Sequence, residues 1–215
     1  MASGSPRISF VGAQAFIPEV RALATLQDAA QTCKGCDLYR HATQAVFGEG
    51  SRSARIVFVG EQPGNEEDKQ GRPFVGPAGH LLDRALQEAG ITRADVYVTN
   101  AVKHFRFEER GKRRIHKKPS TAQVHACEPW LEAELQLVKP EIIVCLGATA
   151  AMSLLGRKFR LTKLRGRPVP HHRARYLIAT VHPSAILRIP DETDRHKEYA
   201  RLVDDLKTVR SLLHS

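Results

Sequence analysis

Four short runs of apolar, largely β-branched residues, at 55–59, 96–99, 142–146 and 176–181, constrain this chain more than any other feature. Strict alternation would mark strands with one wet face, whereas apolar residues on successive positions predict strands buried on both faces. Apolar residues at helical spacing lie between the runs. They predict helices over 19–31, over 77–89, which stops before Gly90, and over 120–138, which opens with the capping box Ser120-Thr121-Ala122-Gln123. An amphipathic helix over 194–213 closes the chain. Strands alternating with helices predict an α/β fold, a three-layer α/β/α sandwich around a central four-stranded parallel sheet. The Ser/Gly/Pro-flavoured segment 2–6 is expected to fray, residues 1–17 to form a flexible N-terminus and residues 18–215 a single domain.

Ligands of such sheets bind outside the carboxyl ends of the strands, which directs attention to the residues that follow each run. These are Gly60-Glu61-Gln62-Pro63-Gly64, Asn100, Gly147-Ala148-Thr149 and His182-Pro183-Ser184. A carboxylate, two amides, a hydroxyl and an imidazole therefore converge on one rim. Glycines around Glu61 and Gln62 let backbone approach a ligand, although Gly and Pro also punctuate ordinary βα turns. Arg72-Pro73-Phe74-Val75-Gly76-Pro77-Ala78-Gly79 forms a second rigid loop, whose Phe74 either stacks on a planar base or plugs the core beneath.

Cys33-Lys34-Gly35-Cys36 has the spacing of a metal or cluster site, and Cys127 opens Cys127-Glu128-Pro129-Trp130. Cys145 lies inside an apolar run, where a small hydrophobe is its plainer role. His104, just beyond Asn100, offers an imidazole that can replace thiolate on iron, and zinc held by the same residues is chemically open. The chain shows no charged, apolar-cored leader within residues 1–17 and no apolar run near the ~20 residues that span a bilayer. A reducing cytoplasm is the expected location.

Charge points to the partner. Thirty-three Lys and Arg against 23 Asp and Glu give a net +10, as expected of a chain with a polyanionic partner, nucleic acid first. Residues 103–118 hold eight cations against Glu108 and Glu109, and residues 156–175 hold eight with no acid among them. Two such stretches beside the rim fit phosphate contacts, the alternative being solvated surface. Within the first, Lys112-Arg113-Arg114-Ile115-His116, followed by Lys117 and Lys118, sets one imidazole among five cations. These disfavour its protonated form and keep a lone pair available, so His116 is a base, a nucleophile or one more phosphate contact.

Taken in order and spacing, Gly60 to Gly64, Arg72 to Gly79, Thr99-Asn100, Cys127-Glu128-Pro129-Trp130 and His182-Pro183-Ser184 resemble the uracil-DNA glycosylase superfamily, in particular its iron–sulfur family 4. The resemblance covers residues 33–206. Gln62, where family 4 has Ala, and the basic stretch 112–116 resemble the uracil-DNA-crosslinking branch, UdgX. The resemblance implies a 4Fe-4S cluster on Cys33, Cys36, Cys127 and His104, with Cys145 the alternative fourth ligand. It implies uracil-containing DNA as partner, single strands preferred, for a nucleoid-associated protein; a monomer is expected because no segment reads as an interface by itself. Phe74 would stack on uracil, Asn100 would pair with its polar edge, and His182 with backbone N–H groups near Gln62 would stabilise charge at O2, with Gly60 and Ser184 completing the pocket. His116 would attack C1′, assisted by Glu61, while Arg114 positions the loop and Gln62 crowds or repositions the water.

Overall fold

The computed structural model describes residues 10–19, 22–156 and 158–213. Its helices are α1 (Leu23–Gln31), α2 (Asn65–Gln70), α3 (Pro77–Ala89), α4 (Thr121–Val138), α5 (Ala148–Leu155), α6 (Leu161–Leu164), α7 (Pro183–Leu187) and α8 (Glu192–Leu212). The strands are β1 (Glu49–Gly50), β2 (Ile56–Gly60), β3 (Val96–Asn100), β4 (Phe107–Arg110), β5 (Arg113–His116), β6 (Ile142–Leu146), β7 (Val169–His171) and β8 (Ala174–Thr180). Among the described residues no helix is long and apolar enough to cross a membrane.

The four apolar runs become β2, β3, β6 and β8, which pair in parallel in the order β3-β2-β6-β8. On β2, Ile56 and Phe58 enter a core completed by Leu82 and Leu86 of α3 and by Leu202 and Leu206 of α8. Val57 and Val59 enter the opposite core, with Leu131 and Leu135 of α4 and Ala150 of α5. Both faces need apolar side chains, which is why the runs are unbroken, and three layers result. A third apolar cluster joins α1 to α4 around Cys33, Cys36, Cys127 and Trp130.

The sheet is six-stranded and mixed, where the sequence predicts four parallel strands. β1 and β7 add to the two edges, each antiparallel to its neighbour. Glu49-Gly50 and Val169-Pro170-His171 are too short and polar to carry a strand period, and Pro170 suits an edge, where its missing N–H breaks no ladder on the outer side. The basic segment 112–116, expected as a loop, is a second correction. β4 and β5 form a separate hairpin with Phe107 opposite His116, turning at Gly111, whose φ of +58° favours glycine. Charged residues on both faces of this ladder hide its period of two.

Other expectations shift by little. The Ser120 cap forms as predicted, the Gln123 N–H donating to Ser120 Oγ at 3.2 Å and the Ser120 N–H to Gln123 Oε1 at 2.8 Å. The last helix starts at Glu192 instead of 194 because Asp191 Oδ1 accepts the Asp194 N–H at 2.8 Å. Helix α1 begins at Leu23; positions 20 and 21 of the expected helix lie outside the described residues. Of the expected flexible N-terminus, residues 1–9 lie outside them too, whereas Ala13–Phe16 form a 3-10 turn with Ala13 buried and Phe16 packed on the third cluster.

This topology opens a crevice. The chain leaves β2 for β3 on one side and leaves β6 for β8 on the other, so the loops after neighbouring β2 and β6 diverge. The loop after α2 is pressed on the crevice: Phe74 holds φ +56°, and a Cβ added to Gly79 would stand 1.7 Å from the Phe74 carbonyl oxygen. Gly79→Ala is therefore expected to cost about 1–3 kcal/mol in urea unfolding, as overpacking does; an unchanged midpoint would show that the loop yields.

Candidate active site

Glu61, Gln62, Phe74, Asn100, His116, His182 and Ser184 line one cavity of about 380 Å³ at the carboxyl ends of the strands. Gly60 borders it by what it lacks. A Cβ there would lie 2.3 Å from Asn100 Oδ1 and 2.9 Å from Phe74 Cζ, so only glycine admits both side chains. Phe74 rests on the α3 and α8 core while its ring lies 27° from the plane of His182, centroids 6.2 Å apart. Phe74 thus plugs the core beneath the loop and also lines the cavity.

Glu61 spans the switch point. One carboxylate oxygen accepts the Thr149 hydroxyl from the start of α5, and the other lies 3.4 Å from His116 Nε2. His116 is held below the ordinary imidazole range chiefly by burial; Glu61 pulls the other way and Arg188 adds to the lowering. The direction matches the sequence expectation, but the cause does not. Lys112 lies in the turn, Arg113 and Arg114 alternate across β5, and Arg114 pairs with Asp68, leaving Arg188 as the cation that acts on the ring.

Gln62 does not present its amide to a water in the cavity. Its Nε2 donates to the carbonyls of Arg106 and Lys117, each at 3.1 Å, and its Oε1 accepts the Arg106 N–H at 3.0 Å. These are the residues flanking the β4–β5 hairpin, so one buried amide clasps both its ends. Arg114 also faces away from the cavity, bonding Asn65 Oδ1 at 2.8 Å and Asp68 Oδ2 at 2.6 Å while lying over the Phe107 ring at 4.9 Å. It fastens the hairpin to α2.

His182 caps α7. Its Nδ1 accepts the Ser184 N–H at 3.1 Å, which leaves the proton of the neutral ring on Nε2. Burial first, then Arg188 and His116, lower its pKa to about 4. The site therefore combines a carboxylate, two neutral imidazoles, one of them a donor, a buried amide and an aromatic face. That set suits a planar, polar-edged ring leaving a carbon that becomes cationic.

The chain's residues 47–207 match the family described as the uracil DNA glycosylase superfamily. The chain is 41% identical to the type-4 uracil-DNA glycosylase of Thermotoga maritima over 84% of its own length and 89% of that protein. With the type-4 uracil-DNA glycosylase of Sulfurisphaera tokodaii it shares 36% identity, over 88% and 84%. A type-5 uracil-DNA glycosylase of Thermus thermophilus matches at 33%, over 65% and 68%.

The chain belongs to the uracil DNA glycosylase superfamily.

In this superfamily member three thiols share the third cluster. Trp130 Nε1 donates to Cys33 Sγ at 3.3 Å, the Gly35 N–H lies 3.5 Å from the same sulfur, and the Lys103 N–H donates to Cys127 Sγ at 3.2 Å. Burial raises the Cys36 thiol to about 11, with Asp37 and Cys33 adding, and Cys127 to about 12, with Cys36 and Cys33 adding. A cation in their midst would reverse that, and the N–H donors around the sulfurs suit bound thiolates. Among the described residues no three such side chains form a ready-made group for one metal ion. Cys145 is packed elsewhere, with Val57 and Leu177. His104 is buried and lowered to about 4, neutral with an available lone pair, Asp68 opposing the shift.

In sequence terms Glu67 and Arg188 carry no signal, Thr149 is a rim hydroxyl and Lys118 one cation of the basic stretch, yet all four line the cavity. Thr149 stood at a strand end and was legible there. Glu67 accepts the Gly64 N–H at 3.0 Å and the Gly76 N–H at 2.8 Å, joining the two rim loops, and no local pattern announces that. Part of the basic charge is structural: Arg165 pairs with Asp205 at 2.7 Å and with Glu198, and Arg173 pairs with Glu132, while Arg157 lies outside the described residues.

The His182 shift predicts a pH effect. Unfolded, the ring takes a proton near 6.5; folded, it resists until about 4. Its contribution is thus full above 6.5 and is lost as pH falls from there to about 4, on the order of 3 kcal/mol. His182→Asn keeps a capping acceptor but does not titrate, so its urea midpoint should fall less than the parent's between pH 7 and 4; parallel declines would refute the assignment.

Proposed function

We propose that this protein excises uracil from DNA and captures the resulting sugar on His116, as in the uracil-DNA-crosslinking branch. The observation that carries the reading is His116 Nε2 facing Glu61 at 3.4 Å inside the cavity that holds Asn100, Phe74 and His182. The type-4 relatives, named as uracil-DNA glycosylases, support the excision step. A deoxyuridine swings out of the strand, more readily from single-stranded DNA, where no pair is broken. Phe74 stacks on the ring, the Asn100 amide meets O4 and N3, and the His182 Nε2–H donates to O2. The C1′–N1 bond breaks with its electron pair on uracil, whose anion these donors hold. The cationic sugar is stabilised by the Glu61 carboxylate. The His116 Nε2 lone pair then bonds C1′, and the ring loses its other nitrogen's proton to water.

A protein-held, N-alkylated imidazole is a poor leaving group without a base to assist it, so the adduct persists and the chain acts once per lesion. Gln62 and Arg114 act through the hairpin that carries His116. Lys118 and Arg188 at the cavity supply cations for flanking phosphates. Cys33, Cys36 and Cys127, with His104 as fourth ligand, would hold a 4Fe-4S cluster, which when bound would supply cross-linking of the fold and redox capacity. The protein works as a monomer with residues 18–215 as its domain.

Uracil-containing single-stranded DNA run with the protein on a denaturing gel should give a shifted band that His116→Ala abolishes. Alkali-labile abasic DNA without a shift would instead mean hydrolysis, and neither product would leave a DNA-binding module. The purified protein should absorb visible light, with Cys127→Ala and His104→Ala losing that absorbance and Cys145→Ala keeping it. A colourless parent containing zinc would contradict the cluster.

A further inference from the structure

Lys103 is 1% exposed, and its partner Glu134 is fully enclosed. The ammonium uses its three donors at once: Glu134 Oε2 at 2.5 Å, Thr99 Oγ1 at 2.7 Å and the Asn100 carbonyl at 2.7 Å. Glu134 in turn accepts the Gly48 N–H at 2.9 Å, the Tyr97 hydroxyl at 3.0 Å and the Thr99 hydroxyl at 2.9 Å. Every polar atom is satisfied. Such a pair is a weak source of stability, because apolar residues of similar volume do as well, but it fixes geometry.

What it fixes is the main chain of Asn100. The loop from 100 to 103 is closed on itself by the bond from Lys103 Nζ to the Asn100 carbonyl. The Lys103 backbone is anchored at both its polar atoms, its N–H on Cys127 Sγ at 3.2 Å and its carbonyl accepting the Val46 N–H at 2.7 Å. The Asn100 side chain has little slack, since its Oδ1 occupies the space above Gly60 that a Cβ would take. A small rotation of the peptide after Asn100 therefore re-aims its amide.

We propose that Lys103, balanced by Glu134, is a positioning residue that holds the Asn100 amide in register with the polar edge of the base. The proposal rests on the reading in which Asn100 meets uracil. It assigns a role in the rate of bond breakage to a charged pair that touches neither base nor sugar.

The test is a mutant cycle of the parent, Lys103→Met/Glu134→Gln, Asn100→Ala and the triple variant. Glutamine at 134 keeps acceptors for Gly48 and Tyr97, and the pair becomes neutral. Single-turnover loss of deoxyuridine is followed at saturating protein, the half-saturating concentration is measured separately, and circular dichroism checks the fold. The rate should fall about 10–100-fold in the double variant, the cost of slight misplacement, with half-saturation nearly unchanged. In the Asn100→Ala background the same change should have less than about a twofold effect. Should the pair impair folding, Lys103→Gln/Glu134→Gln, too short at 103 to reach the Asn100 carbonyl, enters the same cycle. Losses that multiply in the Asn100→Ala background, or a folded pair variant at the parental rate, would overturn the proposal while leaving the uracil reading intact. Parental activity in Asn100→Ala would overturn both.

Discussion

Three hydrogen bonds from one buried amide hold the candidate site together. Gln62 joins the carbonyl of Arg106, the carbonyl of Lys117 and the N–H of Arg106, closing the base of a hairpin that shares no sheet with the rest of the fold. A two-stranded ribbon alone is marginal in water. This one is fixed at its base by Gln62 and along its length by Arg114 on Asp68 and Asn65, which leaves His116, the last residue of β5, against Glu61. The sheet positions Glu61; the clasp positions the imidazole. Neither alone sets the 3.4 Å between them.

A protein with a net +10 would be expected to surround its site with cations, yet burial is the first cause lowering both imidazoles, His116 keeping 43% of its side chain exposed. Part of the basic sequence turns elsewhere: Arg114, Arg165 and Arg173 pair with carboxylates of the chain. Arg188 is the exception, acting on both rings.

The central sheet and the rim were legible because buried parallel strands leave unbroken apolar runs and because ligand sites sit at their carboxyl ends. Glu61, Phe74, Asn100, His116 and His182 reach one cavity from five separate stretches of sequence. The edge strands were illegible for want of length, and the hairpin because its ladder is charged on both faces. Gln62 lines the cavity as its place on the rim suggests, but an amide beside a carboxylate gives no sign that its partners are backbone groups more than forty residues away. The same holds for Glu67 and Arg188, whose meaning depends on contacts that only the folded chain makes. Cys145 shows the reverse case, its buried place in β6 following directly from the run that contains it.

The Gln62 clasp is the device that seats His116. Its most direct measurement is the rate of covalent adduct formation by Gln62→Ala on uracil-containing single-stranded DNA, followed together with release of free uracil. With three hydrogen bonds lost at the hairpin base, adduct formation should slow by about tenfold or more while uracil release continues, the sugar being left to water. Adduct formation at the parental rate in a folded Gln62→Ala protein would contradict the account.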